Sequence, residues 1–591
     1  MKKKDLRSKQ WFDNPKNPAQ TAIYLERYLN YGLKREDLQS SKPIIGIAQS
    51  GSDLSPCNRH FLALSKTIKD GIRQAGGVPM EFPTHPIQET GKRPTAALDR
   101  NLSYLSLVEV LYGYPIDGVI LTTGCDKTTP AALMAAATVN IPSIILSGGP
   151  MLDGSYKGKK VGAGTVIWEA KKLHAKGKIN YEEFMDMATA SSPSIGHCNT
   201  MGTASSMNSI AEALGMSLTG SAIIPAPYKE REQISFETGK RIVDMVHEDL
   251  TPSKIMTKEA FENAILVASA IGASSNCPPH LTAIARHMGI NLDIDNWQKL
   301  GHNIPLLVNC QPAGEHLMEG FFKAGGIPAI MQELLKNNKI HKNVMTVTGK
   351  TIEENLKVKI DVDENIIKSF TNPLVKNAGF IVMKSNFFSS AVMKTSVISE
   401  EFRKRYLSNS KNPNAFEANA VVFEGPEDYY ERINDENLKI DENSILMIRG
   451  CGPVGYPGSA EVVNMQPPDR LLKNGINTLP TLGDGRQSGT SESPSILNVS
   501  PESAIGGALS IVKTGDKIKI DLNKRRIDLL ISDEEIENRK RNTKIPKLDN
   551  QTPWQEISRS LVGQLETGAC LETKSIYFDI TNTKGMPRNS H

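Results

Sequence analysis

Three cysteines occupy glycine- or proline-rich segments of a kind typical of loops: Cys57, Cys125 and Cys198. None of them belongs to a Cys-x-x-Cys pair, which argues against a zinc finger. Thiolates are soft ligands suited to zinc, copper(I) or iron–sulfur clusters. Taken alone, each cysteine also fits a small buried apolar residue. Only this second interpretation applies to the other four cysteines, which are Cys277, Cys310, Cys451 and Cys570.

Asp126 and Lys127 directly follow Cys125. A carboxylate beside a thiolate favours two metal centres close together, because carboxylates suit hard Mg²⁺ whereas thiolates suit soft metals. Asp126 also fits a helix N-cap before Thr128-Thr129-Pro130. An ammonium group cannot ligate Mg²⁺. Lys127 therefore either binds a substrate carboxylate or reacts with CO₂ to form an anionic carbamate.

The C-terminal half contains the glycine-rich segment 483–490, which reads Gly-Asp-Gly-Arg-Gln-Ser-Gly-Thr. Its glycines permit tight backbone turns close to a ligand. It is not a Gly-x-Ser-x-Gly nucleophile elbow, because Arg486 stands two residues before Ser488. An ordinary surface turn explains the pattern equally well. Upstream, the segment 455–461 places the carboxylate of Glu461 after another tight turn.

Short apolar runs alternate with helically spaced apolar residues between 43 and 148. This alternation predicts βαβ units and a parallel sheet, in which ligands bind at the carboxyl ends of the strands. Cys57, Glu89 and Cys125 follow the first three predicted strands. The predicted strands are 43–48, 78–82, 119–122 and 143–146, and the predicted helices are those around 64–72 and over 94–112 and 130–138.

The pattern changes along the rest of the chain. Residues 160–370 read as mainly helical, and Cys198 precedes a helix predicted over 204–214. From about 377, short strands separated by Gly, Pro, Asn and Asp predict a mostly β sandwich or barrel. These strands are 380–383, 420–423, 445–448, 517–520 and 527–530. A chain of 591 residues is too long to fold around a single hydrophobic core. The sequence therefore predicts an α/β domain over 1–370 and a barrel-like domain over 371–591.

Composition excludes several classes of function. The net charge is only +4 and no basic stripe is interleaved with aromatic residues, so a nucleic-acid partner is not expected. No stretch approaches the ~18 apolar residues of a membrane span. The basic N-terminus Met1–Lys4 is not followed by an apolar segment, so no secretory signal is predicted. Seven widely spaced cysteines do not suggest a disulfide framework, which favours the reducing cytoplasm.

Four motifs together resemble the superfamily of dihydroxyacid dehydratases and phosphogluconate dehydratases. The segment 125–131 (Cys-Asp-Lys-Thr-Thr-Pro-Ala) resembles its first signature, and 484–490 resembles its second. Pro56-Cys57-Asn58 and 196–202 also match in the expected order. The resemblance therefore covers nearly the whole chain.

Within that superfamily the chain is most similar to sugar-acid dehydratases of the L-arabinonate and D-xylonate type. The segments that carry this similarity are 11–14, 94–100 and 122–125. The second signature departs from the enzymes of amino-acid biosynthesis, which usually have Thr at the position of Gly483 and an apolar residue at that of Gln487. This departure disfavours a branched-chain substrate.

The resemblance implies a role for each matching residue. Cys57, Cys125 and Cys198 would ligate a [2Fe–2S] cluster with one iron open to substrate. The ligands of a Mg²⁺ ion would be Glu89, Asp126, a carbamylated Lys127 and Glu461. Ser488 would be the general base and Thr490 would lie beside the substrate. Such enzymes place the site between their two domains and assemble as homodimers or homotetramers.

The resemblance also implies the reaction, the loss of water from a sugar acid to give a 2-keto-3-deoxy acid. A branched-chain dihydroxyacid dehydratase would use the same chemistry on an apolar substrate. A non-catalytic iron–sulfur sensor is a third hypothesis. The Mg²⁺ ligands and Ser488 argue against the sensor, because a sensor needs neither.

Overall fold

The computed structural model describes residues 5–575 and 577–589, so the basic run Met1–Lys4 lies outside the described residues. Its N-terminal half is built on a four-stranded sheet in the order β2-β1-β3-β4, in which all neighbouring strands are parallel. The four strands are β1 (Ile44–Gln49), β2 (Val78–Pro83), β3 (Gly118–Thr123) and β4 (Ser143–Ser147). The predicted α/β class and its four strands are confirmed, each to within one residue at either end. A hairpin follows, made of β5 (Gly154–Tyr156) and β6 (Lys159–Val161).

Helices cover both faces of this sheet and fill most of the chain between 160 and 355, as predicted. The helix α6 is buried along its whole length, as expected for a helix that is apolar on every side. The helices are α1 (Lys9–Phe12), α2 (Pro18–Leu29), α3 (Arg35–Leu38), α4 (Phe61–Gln74), α5 (Ala97–Gly113), α6 (Thr128–Val139), α7 (Thr165–Ala175), α8 (Tyr181–Thr189), α9 (Thr203–Ala213), α10 (Lys229–His247), α11 (Pro252–Ile255), α12 (Lys258–Ala270), α13 (Cys277–His287), α14 (Asp295–Gly301), α15 (Met318–Lys323), α16 (Gly326–Lys336) and α17 (Ile352–Asn355).

Two glycines allow α4 and α10 to pack closely. A Cβ atom at Gly71 would lie 2.2 Å from the carbonyl oxygen of Phe236, and one at Gly239 would lie 2.4 Å from that of Ile68. Such distances are far below contact, so only glycine fits at this crossing. The crossing fixes α10 against the sheet, where it also contacts β3 and β4.

The start of α5 differs from the prediction by three residues. The helix begins at Ala97 instead of Pro94. The N–H of Ala97 donates to the Thr95 hydroxyl at 3.4 Å. This local hydrogen bond competes with a first helical turn.

The C-terminal half is a closed eight-stranded barrel in the order β10-β11-β12-β8-β7-β14-β13-β9. The predicted barrel-like domain is thus confirmed as a fold class, although three of its strands were not predicted. The strands are β7 (Phe380–Ser385), β8 (Ser390–Lys394), β9 (Ala415–Phe423), β10 (Ser444–Ile448), β11 (Thr481–Gly483), β12 (Ile496–Ser500), β13 (Lys517–Asp521) and β14 (Arg526–Leu529). Their inward-facing apolar residues form a second core, separate from the N-terminal one.

Short helices connect the barrel strands, and the segment after them returns to the N-terminal half. Arg100 of α5 donates to the carbonyl oxygens of Gly568 and Ala569, and Trp554 donates to that of Leu98 at 3.1 Å. The boundary predicted between 370 and 371 stays a prediction. The helices of this half are α18 (Glu400–Phe402), α19 (Pro426–Arg432), α20 (Asp469–Lys473), α21 (Asp533–Asn542), α22 (Pro553–Leu561) and α23 (Ile580–Thr583).

Neither a membrane span nor a disulfide occurs in the part of the chain that the structure describes. None of its helices combines the length and apolarity needed to cross a bilayer. All seven cysteines are free thiols. Cys277, Cys310, Cys451 and Cys570 are buried in the interior, and burial raises the pKa of each, as expected for inert apolar side chains.

Candidate active site

The loops that follow β1 and β3 bring two of the predicted cysteines into contact. Cys57 lies in a short 3₁₀ turn, Pro56–Asn58, and Cys125 follows β3. A hydrogen bond from Cys125 holds the pKa of the Cys57 thiol below its usual range, and the pKa of Cys125 is raised correspondingly. The Cys198 thiol is also buried, which raises its pKa, and Cys57 lies close enough to raise it further. The three predicted thiols therefore share one neighbourhood.

Two hydrogen-bond donors point at these sulfur atoms. The side-chain amide of Gln88 donates to Cys57 Sγ at 3.2 Å, and the backbone N–H of Glu89 donates to Cys125 Sγ at 3.3 Å. Hydrogen bonds to sulfur tune metal–thiolate centres. Gln88 was not singled out in the sequence, because nothing in its neighbourhood marks it as a donor.

Glu89, Asp126 and Glu461 form a carboxylate cluster beside the thiols. Each offers one oxygen, and these three oxygens lie within 4.8 Å of one another. Burial and repulsion from Glu89 raise the pKa of Glu461 to about 7. Burial also raises the pKa of Asp126. Burial opposes ionisation of Glu89 too, but Lys127 and Arg486 outweigh it and hold the pKa of Glu89 below its usual value.

Lys127 is fully buried among these carboxylates. Its Nζ lies 2.9 Å from Glu89 Oε2 and 3.8 Å from Asp126 Oδ2. The orientation does not make the first contact a hydrogen bond, so both Nζ and Oε2 lack a hydrogen-bond partner within the described residues. Lys127 is the N-cap residue of α6 and caps nothing with its side chain, which rules out the alternative that Asp126 is the N-cap.

Arg486 completes the charged cluster, and sequence reasoning assigned it no role. The fully buried guanidinium lies 3.0 Å from Glu461 and 3.4 Å from Glu89. Its Nε donates to the carbonyl oxygen of Ser459 at 2.8 Å, which fixes the turn that carries Glu461. Arg486 thus joins a carboxylate of the barrel to one of the α/β half. Its position between two glycines is the sequence feature that marked this segment.

Asn276 links the carboxylate cluster to the segment that contains Ser488. Its Nδ2 lies 2.6 Å from Glu461 Oε1, 2.9 Å from Thr203 Oγ1 and 3.2 Å from the carbonyl oxygen of Gln487. Asn276 precedes α13 and is buried. One side chain of the α/β half therefore contacts two loops of the barrel, the one with Glu461 and the one with Gln487, and holds them beside the carboxylate cluster.

Ser488 and Thr490 form a hydroxyl pair on the same loop. Their side-chain oxygens lie 2.9 Å apart, and the N–H of Thr490 donates to Ser488 Oγ at 3.3 Å. The N–H of Ser488 donates to Asn464 Oδ1 at 3.2 Å. The Trp168 indole N–H donates to Thr490 Oγ1 at 3.1 Å. Neither Asn464 nor Trp168 was predicted to belong to the site, because each lies outside the segment 483–490 that it contacts.

Asp484 anchors the start of this loop. Its buried carboxylate accepts hydrogen bonds from the N–H groups of Gly450, Cys451 and Ser503 and from the Ser503 hydroxyl. Three backbone donors on one carboxylate form a rigid support. The segment 483–490 is therefore an interior loop held between two strands, and the alternative of a plain surface turn is wrong.

The donor set fits the two metal groups that the family resemblance implies. Three thiols, which are soft ligands, come together from separate loops. Three carboxylates lie around the ammonium of Lys127, which has no hydrogen-bond partner within the described residues. A carboxylate cluster of this kind suits Mg²⁺, and the thiols suit an iron–sulfur cluster. The two sets adjoin through the neighbours Cys125 and Asp126.

Comparison with known proteins agrees with this geometry. The family model described as "Dihydroxy-acid/6-phosphogluconate dehydratase N-terminal" matches residues 42–355, and its C-terminal counterpart matches residues 365–569. A D-xylonate dehydratase of Caulobacter vibrioides is 59% identical over 587 residues, covering 99% of this chain and 98% of the relative. An L-arabinonate dehydratase of Rhizobium leguminosarum bv. trifolii is 43% identical, covering 90% of each chain. A dihydroxy-acid dehydratase of Clostridium novyi is 36% identical, covering 92% of this chain and 96% of its own.

The chain therefore belongs to the dihydroxy-acid/6-phosphogluconate dehydratase family. It is a hydro-lyase, an enzyme that removes water from a carbon skeleton. The predicted family is confirmed.

Proposed function

We propose that this enzyme dehydrates a sugar acid, a pentonate or hexonate such as D-xylonate or L-arabinonate, to the 2-keto-3-deoxy acid. Two relatives that align over at least 90% of this chain bear the names of these substrates. The observation that carries the proposal is that the α/β half and the barrel both contribute side chains to one site. Asn276 and Arg486 tie Glu461 and the Ser488 loop to Glu89, and thereby to the thiols.

The contacts support the following ligand set. Glu89, Asp126 and Glu461 would hold Mg²⁺, and the thiolates of Cys57, Cys125 and Cys198 would hold a [2Fe–2S] cluster. When bound, Mg²⁺ supplies positive charge beside the substrate carboxylate and the C2 oxygen, while an open iron of the cluster supplies a Lewis acid for the C3 hydroxyl.

Ser488 takes the C2 proton in this proposal. The C–H bond at C2 breaks and its electron pair forms the C2–C3 double bond, while the C3–O bond breaks and its electron pair leaves with the oxygen. The departing hydroxide takes up one proton to become water, and Ser488 gives up the proton that it took from C2, so the alkoxide is restored. The enol that results tautomerises to the ketone. A serine hydroxyl is a weak acid, so its alkoxide needs stabilisation by nearby positive charge or hydrogen-bond donors. Thr490 provides two such donors, its backbone N–H and its hydroxyl.

Lys127 is proposed to carry a carbamate. The ammonium first loses one proton to solvent. The neutral amine then attacks CO₂, an N–C bond forms as one C–O π bond breaks, and a second proton leaves to solvent, so a cation becomes an anionic oxygen ligand. The absence of hydrogen-bond partners around a fully buried Nζ supports this change. Carbon-13 NMR after equilibration with labelled CO₂ should show a carbamate resonance that Lys127→Met lacks, and a spectrum without it would contradict the assignment.

The residue next to the proposed base supports a sugar acid over a branched-chain substrate. Gln487 is buried, and its Oε1 has no partner within the described residues. A buried unpaired amide rejects an apolar ligand, whereas a hydroxylated ligand can satisfy it.

The decisive experiment is a 2-keto-acid assay of enzyme purified without oxygen. Pentonates and hexonates should be dehydrated, with D-xylonate or L-arabinonate among the best. The competitor is 2,3-dihydroxyisovalerate, which should be turned over at least about a hundredfold less efficiently, as expected where polar groups recognise hydroxyls. Preference for 2,3-dihydroxyisovalerate would establish the branched-chain alternative instead, and no turnover of any substrate would favour the sensor.

A further inference from the structure

The helix α7 of the N-terminal half is fastened onto the barrel beside the Ser488 loop. Lys176, just after α7, donates from Nζ to Asn477 Oδ1 at 2.6 Å. Lys172 lies 3.6 Å from Glu492. The side-chain amide of Gln466 donates to the carbonyl oxygen of Trp168 at 3.4 Å. These contacts bring one face of α7 against the loop that contains Thr490.

Two further features fix the Trp168 ring against Thr490. The ammonium of Lys171 lies 5.0 Å from the centroid of the indole ring, within the range of a cation–π contact. Gly164, at the start of α7, leaves room for the threonine, because a Cβ there would lie 2.5 Å from Thr490 Cγ2. The close packing of α7 against the loop thus holds the 3.1 Å hydrogen bond from the indole N–H to Thr490 Oγ1 in place.

The indole favours one direction for the hydrogen bond between the two hydroxyls, because it already occupies one lone pair of Thr490 Oγ1. An indole N–H only donates, so Thr490 Oγ1 accepts from Trp168. The proton of Thr490 remains free to donate, and Ser488 Oγ lies 2.9 Å away. Ser488 Oγ also accepts from the N–H of Thr490 at 3.3 Å. Two donors then point at the serine oxygen, an arrangement that favours its anionic form.

We propose that Trp168 is a positioning residue for the dehydration. Its N–H fixes Thr490 as the donor in the hydroxyl pair and so keeps the Ser488 oxygen free to accept a proton from the substrate. This inference rests on the proposed role of Ser488 as the base. Trp168 acts only through Thr490 and needs no contact with the substrate.

The kinetic test replaces Trp168 with phenylalanine, which keeps an aromatic ring and removes the N–H. The variant should lose about tenfold in kcat, the effect of one hydrogen bond, while KM for the sugar acid stays within about twofold. The matched control is Trp554→Phe, which removes an indole hydrogen bond of the same length, from the barrel half to the carbonyl oxygen of Leu98. That control should keep the wild-type kcat. A loss of equal size in both variants would overturn the proposal.

A double-mutant cycle with Thr490→Val tests whether Trp168 acts through Thr490. The Trp168→Phe change should have almost no effect on kcat in the Thr490→Val background, because the acceptor is already gone. Additive effects would overturn the proposal.

A second readout does not depend on activity. The indole N–H resonance of Trp168 in a nitrogen-15 NMR spectrum, assigned by its loss in Trp168→Phe, should move upfield in Thr490→Val. An unchanged resonance would also overturn the proposal. Wild-type turnover in Ser488→Ala would instead remove the base on which the inference rests, so the two failures have different signatures.

Discussion

At the scale of single residues, Ser488 is the group on which the proposed proton transfer depends. Ser488→Ala removes the oxygen that would accept the C2 proton, and a positioned general base contributes about 10²–10⁴ to the rate. We therefore expect kcat to fall by at least that factor, with iron, sulfide and magnesium contents unchanged. The control is Ser510→Ala, whose hydroxyl has no partner within the described residues. Near-normal turnover in Ser488→Ala would show that another group is the base.

The thiols allow a test of the cluster that needs no substrate. Cys57→Ala removes one of the two thiols that share a hydrogen bond. Protein purified without oxygen should be brown in the wild type, and the variant should lose most of its visible absorption and bound iron. Cys310→Ala, which removes a buried thiol close to the carbonyl oxygen of Leu317, should stay brown. A colourless and fully active wild-type protein would exclude the cluster.

The buried His287 makes the fold sensitive to acid. Burial, together with Arg100 and Arg286, lowers its pKa to about 3 from an ordinary 6.5. Between these values the unfolded chain binds a proton that the folded protein does not, so stability is present above pH 6.5 and falls as the pH drops. Each unit by which the pH falls in this window lowers the free energy of unfolding by up to about 1.4 kcal/mol.

His287→Phe tests this linkage because it keeps a ring against Tyr104, whose centroid lies 4.5 Å away. The midpoint of thermal unfolding should fall less steeply between pH 6.5 and 4 in the variant than in the wild type. Parallel curves for the two proteins would show that His287 does not contribute.

At the scale of elements, the junction between β6 and α7 decides how closely this helix approaches the barrel. Gly164 has a φ of +84°, and its missing side chain leaves space for Thr490. Gly164→Ala should therefore lower kcat more than tenfold, since a displacement of about 1 Å at a catalytic group can cost about a hundredfold. Gly158→Ala is the matched control, because its φ of +78° is similar and nothing lies within 4 Å of the added Cβ.

Both variants place alanine in the left-handed region, which costs roughly 1–2 kcal/mol. Gly164→Ala should lose more thermal stability than Gly158→Ala, because its Cβ also meets Thr490, and only Gly164→Ala should lose activity. Equal activities would show that the Ser488 loop tolerates a shift of Thr490.

Most of the strands found from the sequence contain an apolar run, and β13 shows the alternation of polar and apolar residues that is typical of a strand. The strands β1, β3 and β4 are buried on both faces and read as continuous apolar segments. Barrel strands such as β11 are too short to show a period, and β12 carries polar residues on its buried face. Pairing with neighbouring strands makes these segments β structure, and that information is not local.

At the scale of the whole molecule, the sequence singled out the candidate site residues but not the groups that contact them. Cysteines, clustered carboxylates and a glycine-rich turn are conspicuous by residue type. Asn276, Arg486 and Trp168 are ordinary residues locally, and each becomes part of the site through a partner remote in sequence. Their roles depend on how the α/β half and the barrel meet, which residue patterns within either half do not encode. The predicted homodimer or homotetramer stays a prediction.

The carboxylate cluster should couple Mg²⁺ binding to the stability of the whole molecule. Glu89 and Asp126 belong to the α/β half and Glu461 to the barrel, so an ion held by all three binds only the assembled fold. Binding to the folded state alone stabilises it by about 2.7 kcal/mol at a hundred times Kd. We expect the thermal unfolding midpoint to rise with Mg²⁺ concentration by several degrees in the wild type, despite repulsion from Arg486.

Glu461→Gln should abolish that rise, because a neutral amide replaces the only carboxylate of the cluster from the barrel. Glu427 offers a matched control. It lines the same cleft of about 320 Å³ as Glu461 and is exposed, but it does not belong to the cluster. Glu427→Gln should therefore keep the full Mg²⁺ dependence. If Glu461→Gln responded to Mg²⁺ as the wild type does, the ion would bind one half alone and would not bridge the two.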